Sequence, residues 1–119
     1  MTNTITARTP SATPYGLGVK VTATATPGDL IHTAVNSTTA GTYDEVILYA
    51  TNNHTASVVV TVQWGTAATE QNIQVSIPPK AGLWPLIPGL LLQNAYTVKI
   101  FASVTNVITV FGRVHPVTD

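Results

Sequence analysis

The apolar residues of this chain recur with period two. In "GVKVTATAT" (18–26) Val19, Val21, Ala23 and Ala25 fall on one face, and Lys20, Thr22 and Thr24 on the other. That alternation is the mark of a half-buried β-strand. "SVVVTVQW" (57–64) repeats it with Val58, Val60, Val62 and Trp64 inward, and "NIQVSI" (72–77) with Ile73, Val75 and Ile77. "AYTVKIFASV" (95–104) places Tyr96, Val98, Ile100 and Ala102 on one face. "EVILYAT" (45–51) is apolar on both faces and suits a central strand. "LIHTAV" (30–35) reads as a shorter strand, and "VITVFGRVHP" (107–116) closes the chain. Turn-forming runs separate these segments: "PGD" (27–29), "NSTTAGTYD" (36–44), "NNHTA" (52–56) and "TN" (105–106). Seven or eight short strands with turns between them predict an all-β fold, an antiparallel β-sandwich of jelly-roll type. Residues 1–17 are rich in Thr, Pro and Ser and poor in large apolar groups, and predict an extended N-terminal arm outside the core. Residues 18–119 form the sandwich domain.

The most apolar stretch, "SIPPKAGLWPLIPGLLLQN" (76–94), carries four prolines, Pro78, Pro79, Pro85 and Pro88. Each would cost about 3 kcal/mol inside a helix, so a helix and a membrane span are both excluded. A central strand fails as well, because proline cannot donate to a ladder. What remains is a turn at 78–82, an edge strand through 83–87, a bend at Pro88 and Gly89, and a return to the core at 90–92. An edge strand carrying Leu83, Trp84, Leu86 and Ile87 either packs against a neighbouring subunit or folds onto its own core. Trp84, between prolines, is the strongest single candidate for an interface anchor, since tryptophan is enriched at binding hot spots. Tyr15 in the arm joins these four as a candidate contact residue.

Composition narrows the partners. Charged residues make up 8% of the chain, about a third of the share in an ordinary soluble domain, and five basic residues balance five acidic ones. No basic patch is available to neutralise phosphates, so a nucleic-acid partner is not expected. Nor is a polybasic membrane anchor. A chain with net charge near zero favours association, which points to an oligomer or to life on a larger assembly. Threonine is the most used residue, in keeping with pleated strands, and cysteine is absent, which removes disulfide and thiolate chemistry. The N-terminal residues contain no apolar run of the kind a secretory signal has.

Candidate chemistry is sparse. His32, His54 and His115 stand at no metal-ligand spacing and are read as isolated surface or rim histidines, with no metal and no cofactor expected. Asp44 and Glu45 are adjacent, so on a strand they point to opposite faces and cannot act as an acid/base pair. They are read as the charged start of a strand. No serine lies in a G-x-S-x-G context, and no phosphate-binding glycine loop is present. A hydrolase would need Asp29, Asp44, Glu45 or Glu70 to converge with a histidine in one cleft. Trp64 and Trp84 with Tyr15, Tyr43, Tyr49 and Tyr96 could form a sugar-stacking platform, although the parity of Trp64 assigns it to the core. No catalytic residue is assigned, and the chain is read as non-enzymatic, without a small-molecule substrate.

One resemblance goes further than these patterns. "YDEVILYATNNHTASVVVTVQWG" followed by "IQVSIPPKAGLWPLIPGLLLQNAYTVKIFASVTNVITVFGRV" resembles small structural proteins of tailed bacteriophages. Their pattern has an acidic-hydrophobic strand (here 44–49), a "TN" turn (51–52), a valine strand ending in "WG" (58–65), an "IP…AGL…PGL" segment (77–90) and a final hairpin (101–114). The resemblance covers residues 18–116. It implies a capsid decoration or cement protein, usually trimeric, located on the outer capsid surface of the virion after assembly in the host cytoplasm. The implied partners are further copies of the chain and the major capsid protein. The alternative is a carbohydrate- or receptor-binding module of a phage fibre or tail, with a shallow groove lined by exposed aromatic residues.

Overall fold

In the computed structural model, which describes residues 7–13 and 15–118, eight strands form two antiparallel sheets. The strands are β1 (Val19–Val21), β2 (Asp29–Thr33), β3 (Thr42–Asn52), β4 (Val58–Gly65), β5 (Asn72–Ile77), β6 (Trp84–Leu92), β7 (Thr97–Ala102) and β8 (Ile108–Thr118). A single 3-10 turn, Thr69–Gln71, precedes β5. Sheet one has the order β1-β8-β3-β6 and sheet two the order β2-β7-β4-β5. Their buried faces share one hydrophobic core, the arrangement of a β-sandwich.

The period-two pattern builds that core. Val46, Leu48 and Ala50 of β3 are fully buried, with Ile108, Val110 and Val114 from β8. Val58, Val60 and Val62 of β4 and Val98, Ile100 and Ala102 of β7 face them from sheet two. Each buried Val, Leu or Ile side chain contributes about 1.5–3 kcal/mol relative to exposure. β3 is central, as its two apolar faces predict: it pairs with β8 along its whole length and with β6 on the other side. Its outer face is half-buried because large residues stand opposite one another, Tyr49 against Phe111 and Ile47 against Arg113.

Three elements depart from the sequence pattern. The strand expected over 18–26 stops at Val21, because the Asp29 carboxylate accepts the backbone N–H groups of Thr22 (2.5 Å) and Ala23 (3.2 Å). Those donors leave the ladder, and residues 22–28 become a loop. The proline-rich stretch is one nine-residue edge strand, β6, instead of a strand, a bend and a return. Its pairing with β3 slips between Val46 and Leu48 and again between Leu48 and Tyr49, so the prolines are accommodated at bulges. Gly89, at φ 135°, supplies a backbone conformation there that other residues rarely adopt. Tyr96 and Trp64 are the third departure. Tyr96 precedes β7 with 44% of its surface exposed, and Trp64 is half-buried at the end of β4 where full burial was expected.

The arm expected at 1–17 falls partly outside the described residues. Within them, residues 8–13 are fastened to both sheets. Arg8 and Val114 exchange both backbone hydrogen bonds (2.8 and 2.7 Å), and Ala12 N–H donates to Ile31 C=O at 3.1 Å. This strap closes the side of the sandwich where β8 of sheet one approaches β2 of sheet two.

Candidate functional site

Where the strap crosses, a polar cluster is buried between the sheets. His32 comes from β2 in sheet two, and Asp44 from β3 in sheet one. The alternation of β2 breaks at a bulge between Leu30 and His32, so Ile31 and His32 are both buried. Asp44 shares the parity of Val46, Leu48 and Ala50, which turns its carboxylate to the inside. His32 Nε2 lies 2.8 Å from Asp44 Oδ2, and Val35 N–H donates to the same oxygen at 3.1 Å. Ser11 N–H donates to His32 Nδ1 at 3.0 Å. The Ser11 amide proton occupies the Nδ1 lone pair, which leaves Nε2–H to donate to Asp44. Ser11 Oγ accepts Thr33 N–H at 2.8 Å. The chain Ser11–His32–Asp44 therefore ties strap, sheet two and sheet one together. Beside it opens a pocket of about 460 Å³ lined by Arg8, Tyr43, Val117 and the three linked residues among others.

A carboxylate, a histidine and a serine thus do converge, the arrangement a small hydrolase requires. Their hydrogen bonds run in another sense. A general base needs a nitrogen lone pair facing the nucleophile's proton. Here the Nδ1 lone pair is taken by a backbone amide and Nε2 faces Asp44, so neither ring nitrogen receives the Ser11 hydroxyl. The three residues act as a pin. His32 is accordingly neither isolated nor at the rim, and Asp44 is more than the charged start of a strand: both are under a tenth exposed. Glu45 points to the opposite face, next to Gly89, as adjacency on a strand requires. Among the described residues, no three of His, Asp and Glu approach closely enough to hold a metal ion.

The residues expected at an interface separate into two groups. Leu86 and Ile87 are 4% and 1% exposed, engaged in the protein's own core, and offer no contact surface. Trp84 is half-buried against that core. Leu83 is 59% exposed just before β6, and Leu91 is 50% exposed near the end of that strand. Tyr15 is 89% exposed, and its neighbour Leu17 is 73% exposed just before β1. β1 and β6 are the two edges of sheet one, with β8 and β3 between them. The two exposed apolar groups are therefore about 14 Å or more apart, on opposite sides of the subunit.

Compared with known proteins, the chain matches no family model, no curated protein and no solved structure.

Proposed function

We propose that this is a non-enzymatic structural protein of a virion, a decoration or cement protein that binds the outer surface of a bacteriophage capsid as a homotrimer. The observation that carries the proposal is the placement of exposed apolar residues at the two opposite edges of sheet one. A cyclic trimer is held by heterologous contacts, in which one patch of each subunit meets a different patch of the next. Tyr15 and Leu17 at one edge, with Leu83 and Leu91 at the other, supply two such patches. The low charge supports retention by apolar and hydrogen-bonded contacts, and the trimer would multiply modest contacts with the major capsid protein through simultaneous engagement. The strand order β1-β8-β3-β6 facing β2-β7-β4-β5 supports reading the sandwich as a jelly roll, a two-sheet, eight-strand fold used by viral capsid and lectin domains.

The oligomer is tested by light scattering coupled to gel filtration. The parent chain is expected at three times 12.5 kDa. Leu83→Asp/Leu91→Asp and Tyr15→Asp/Leu17→Asp are each expected to be monomeric, and their mixture to recover dimers through the one intact pair of patches. A monomeric parent, or a mixture that stays monomeric, refutes the heterologous ring. Mapping purified virions at near-atomic resolution tests the location. Density on the outer capsid at local threefold positions supports the cement reading, and density at the tail or a fibre tip refutes it.

A further inference from the structure

A second pocket lies at the far end of β4, away from the strap and the pin. It measures about 300 Å³ and is lined by Trp64, Thr66, Glu70, Gln71, Leu92 and Tyr96 with two small residues. Four segments build it, the end of β6 at Leu92 among them. β4 ends in Trp64 and Gly65, and Gly65 at φ 81° turns the chain away. The 3-10 turn Thr69–Gln71 brings Glu70 and Gln71 to the rim. The turn before β7 brings Tyr96, whose side chain comes within ordinary contact of any Cβ at Gly65. The lining therefore combines two aromatic residues, an aliphatic floor at Leu92, a carboxylate and a primary amide.

Little of that polar capacity is used inside the protein. Thr66 Oγ1 accepts Ala68 N–H at 3.3 Å. The indole N–H of Trp64, the Tyr96 hydroxyl, the Glu70 carboxylate and the Gln71 amide take no side-chain partner among the described residues. Asn72, the next residue along, buries its side-chain oxygen without a donor among the described residues. Trp64 is half-buried and Thr66, Glu70, Gln71 and Tyr96 are exposed, so these donors and acceptors stand open to a ligand beside two aromatic rings.

We infer that this pocket is a binding site for a neutral pyranose unit of a glycan. A pyranose ring has an apolar face of C–H groups, which carry slight positive charge and rest on the negative face of an aromatic ring. Its equatorial hydroxyls each both donate and accept, which a carboxylate, an amide and a phenol at one rim can satisfy. The volume is at the small end of ligand pockets and suits a single sugar ring better than a larger ligand. Among the described residues no Lys or Arg lines the pocket beside Glu70, so a sugar bearing a carboxylate or phosphate would meet like charge. The site is separate from the proposed trimer contacts, since it uses none of Tyr15, Leu17, Leu83 or Leu91.

The experiment is ligand-observed saturation-transfer NMR on the full chain. The probes are D-galactose, D-glucose, N-acetyl-D-glucosamine and their β-linked trisaccharides, with N-acetylneuraminic acid as the anionic comparison. At least one neutral probe is expected to bind with a Kd near ~1 mM, and the anionic one not to bind. Tyr96→Ala, at a site 44% exposed, should keep its melting temperature and weaken binding at least about tenfold. Glu70→Gln should weaken it about threefold or more and remove the discrimination against the anionic sugar. No transfer from any neutral probe at ~10 mM overturns the proposal. So does binding that is unchanged in both variants, or parent binding of N-acetylneuraminic acid equal to that of the neutral sugars.

Discussion

Replacing Asp44 by alanine removes the acceptor that joins the two sheets beneath the strap. Two donors then lose their partner, His32 Nε2–H at 2.8 Å and Val35 N–H at 3.1 Å. Hydrogen bonds to a charged acceptor are worth about 1.5–3 kcal/mol each, and breaking one side of a buried pair costs about 3–5 kcal/mol. We expect Asp44→Ala to lose about 3–5 kcal/mol, a large part of the roughly 5–15 kcal/mol that holds a domain of this size. In a thermal scan the loss reads as a fall of about 10–20 °C. Asp44→Asn keeps an acceptor oxygen and should lose only about 1–2 kcal/mol. Urea titration with an unchanged m value checks that the native fold is being compared. A double-mutant cycle with His32→Ala isolates the pair, with an expected coupling of about 1–3 kcal/mol. Hydrogen exchange then reports on the strap: the Ser11 and Ala12 amides should lose protection in His32→Ala before the amides of β3 and β8 do. If Asp44→Ala stays within about 1 kcal/mol of the parent, or the coupling is nil, the pin is not what joins strap and sheets.

Other positions yield equally direct expectations. Asn52 is 1% exposed, and its amide donates to Ala56 C=O (3.0 Å) and Ile77 C=O (2.9 Å) while its oxygen accepts His54 N–H (2.8 Å), so Asn52→Ala should cost about 2–4 kcal/mol by chemical denaturation. A Cβ at Gly112 would lie 2.3 Å from the Ile47 carbonyl oxygen, and Gly112→Ala should cost about 3 kcal/mol or more, read as a loss of soluble, cooperatively melting protein. Asp29→Ala frees the N–H groups of Thr22 and Ala23 and should cost about 1–2 kcal/mol, with faster exchange confined to residues 22–28.

Much of the fold was legible because alternation is a local property. The valines of β4, the two-faced apolar run of β3 and the core face of β7 stand where period two puts them. What sequence reading missed depends on contacts between distant segments. The 18–26 alternation is as regular as that of β4, yet it ends early because a carboxylate several residues on captures two of its amides. The bulge that turns His32 inward leaves no mark in "LIHTAV". One signal for the pin was present. Asp44 has the parity of Val46, Leu48 and Ala50, and a carboxylate on the core face of a strand demands a donor. The pocket at Trp64 was half visible. Trp64 and Tyr96 both belong to the set of possible stacking residues, but strand parity sends Trp64 to the core, and nothing local ties the 3-10 turn to the loop before β7.

The edges of the sheets bear on how subunits can associate. A free strand edge invites addition of another strand, so a protein that assembles through side-chain patches must block its edges. On sheet two, the strap covers β2. On sheet one, Val114 turns both its backbone groups to Arg8, so Pro116, two residues further along β8, turns its missing donor to the same side. β6 carries Pro85 and Pro88 within a doubly bulged edge. These are devices against open-ended pairing, and in the proposed trimer the closed contacts are those of the side chains of Leu83, Leu91, Tyr15 and Leu17. The variant Pro85→Val/Pro88→Val returns two donors and two β-branched residues to the β6 edge. It should aggregate at concentrations where the parent stays in solution, as followed by light scattering, without a lower melting temperature. If it remains as soluble as the parent, the prolines of β6 serve the bulges alone, and strand addition at that edge becomes a competing account of the proposed trimer.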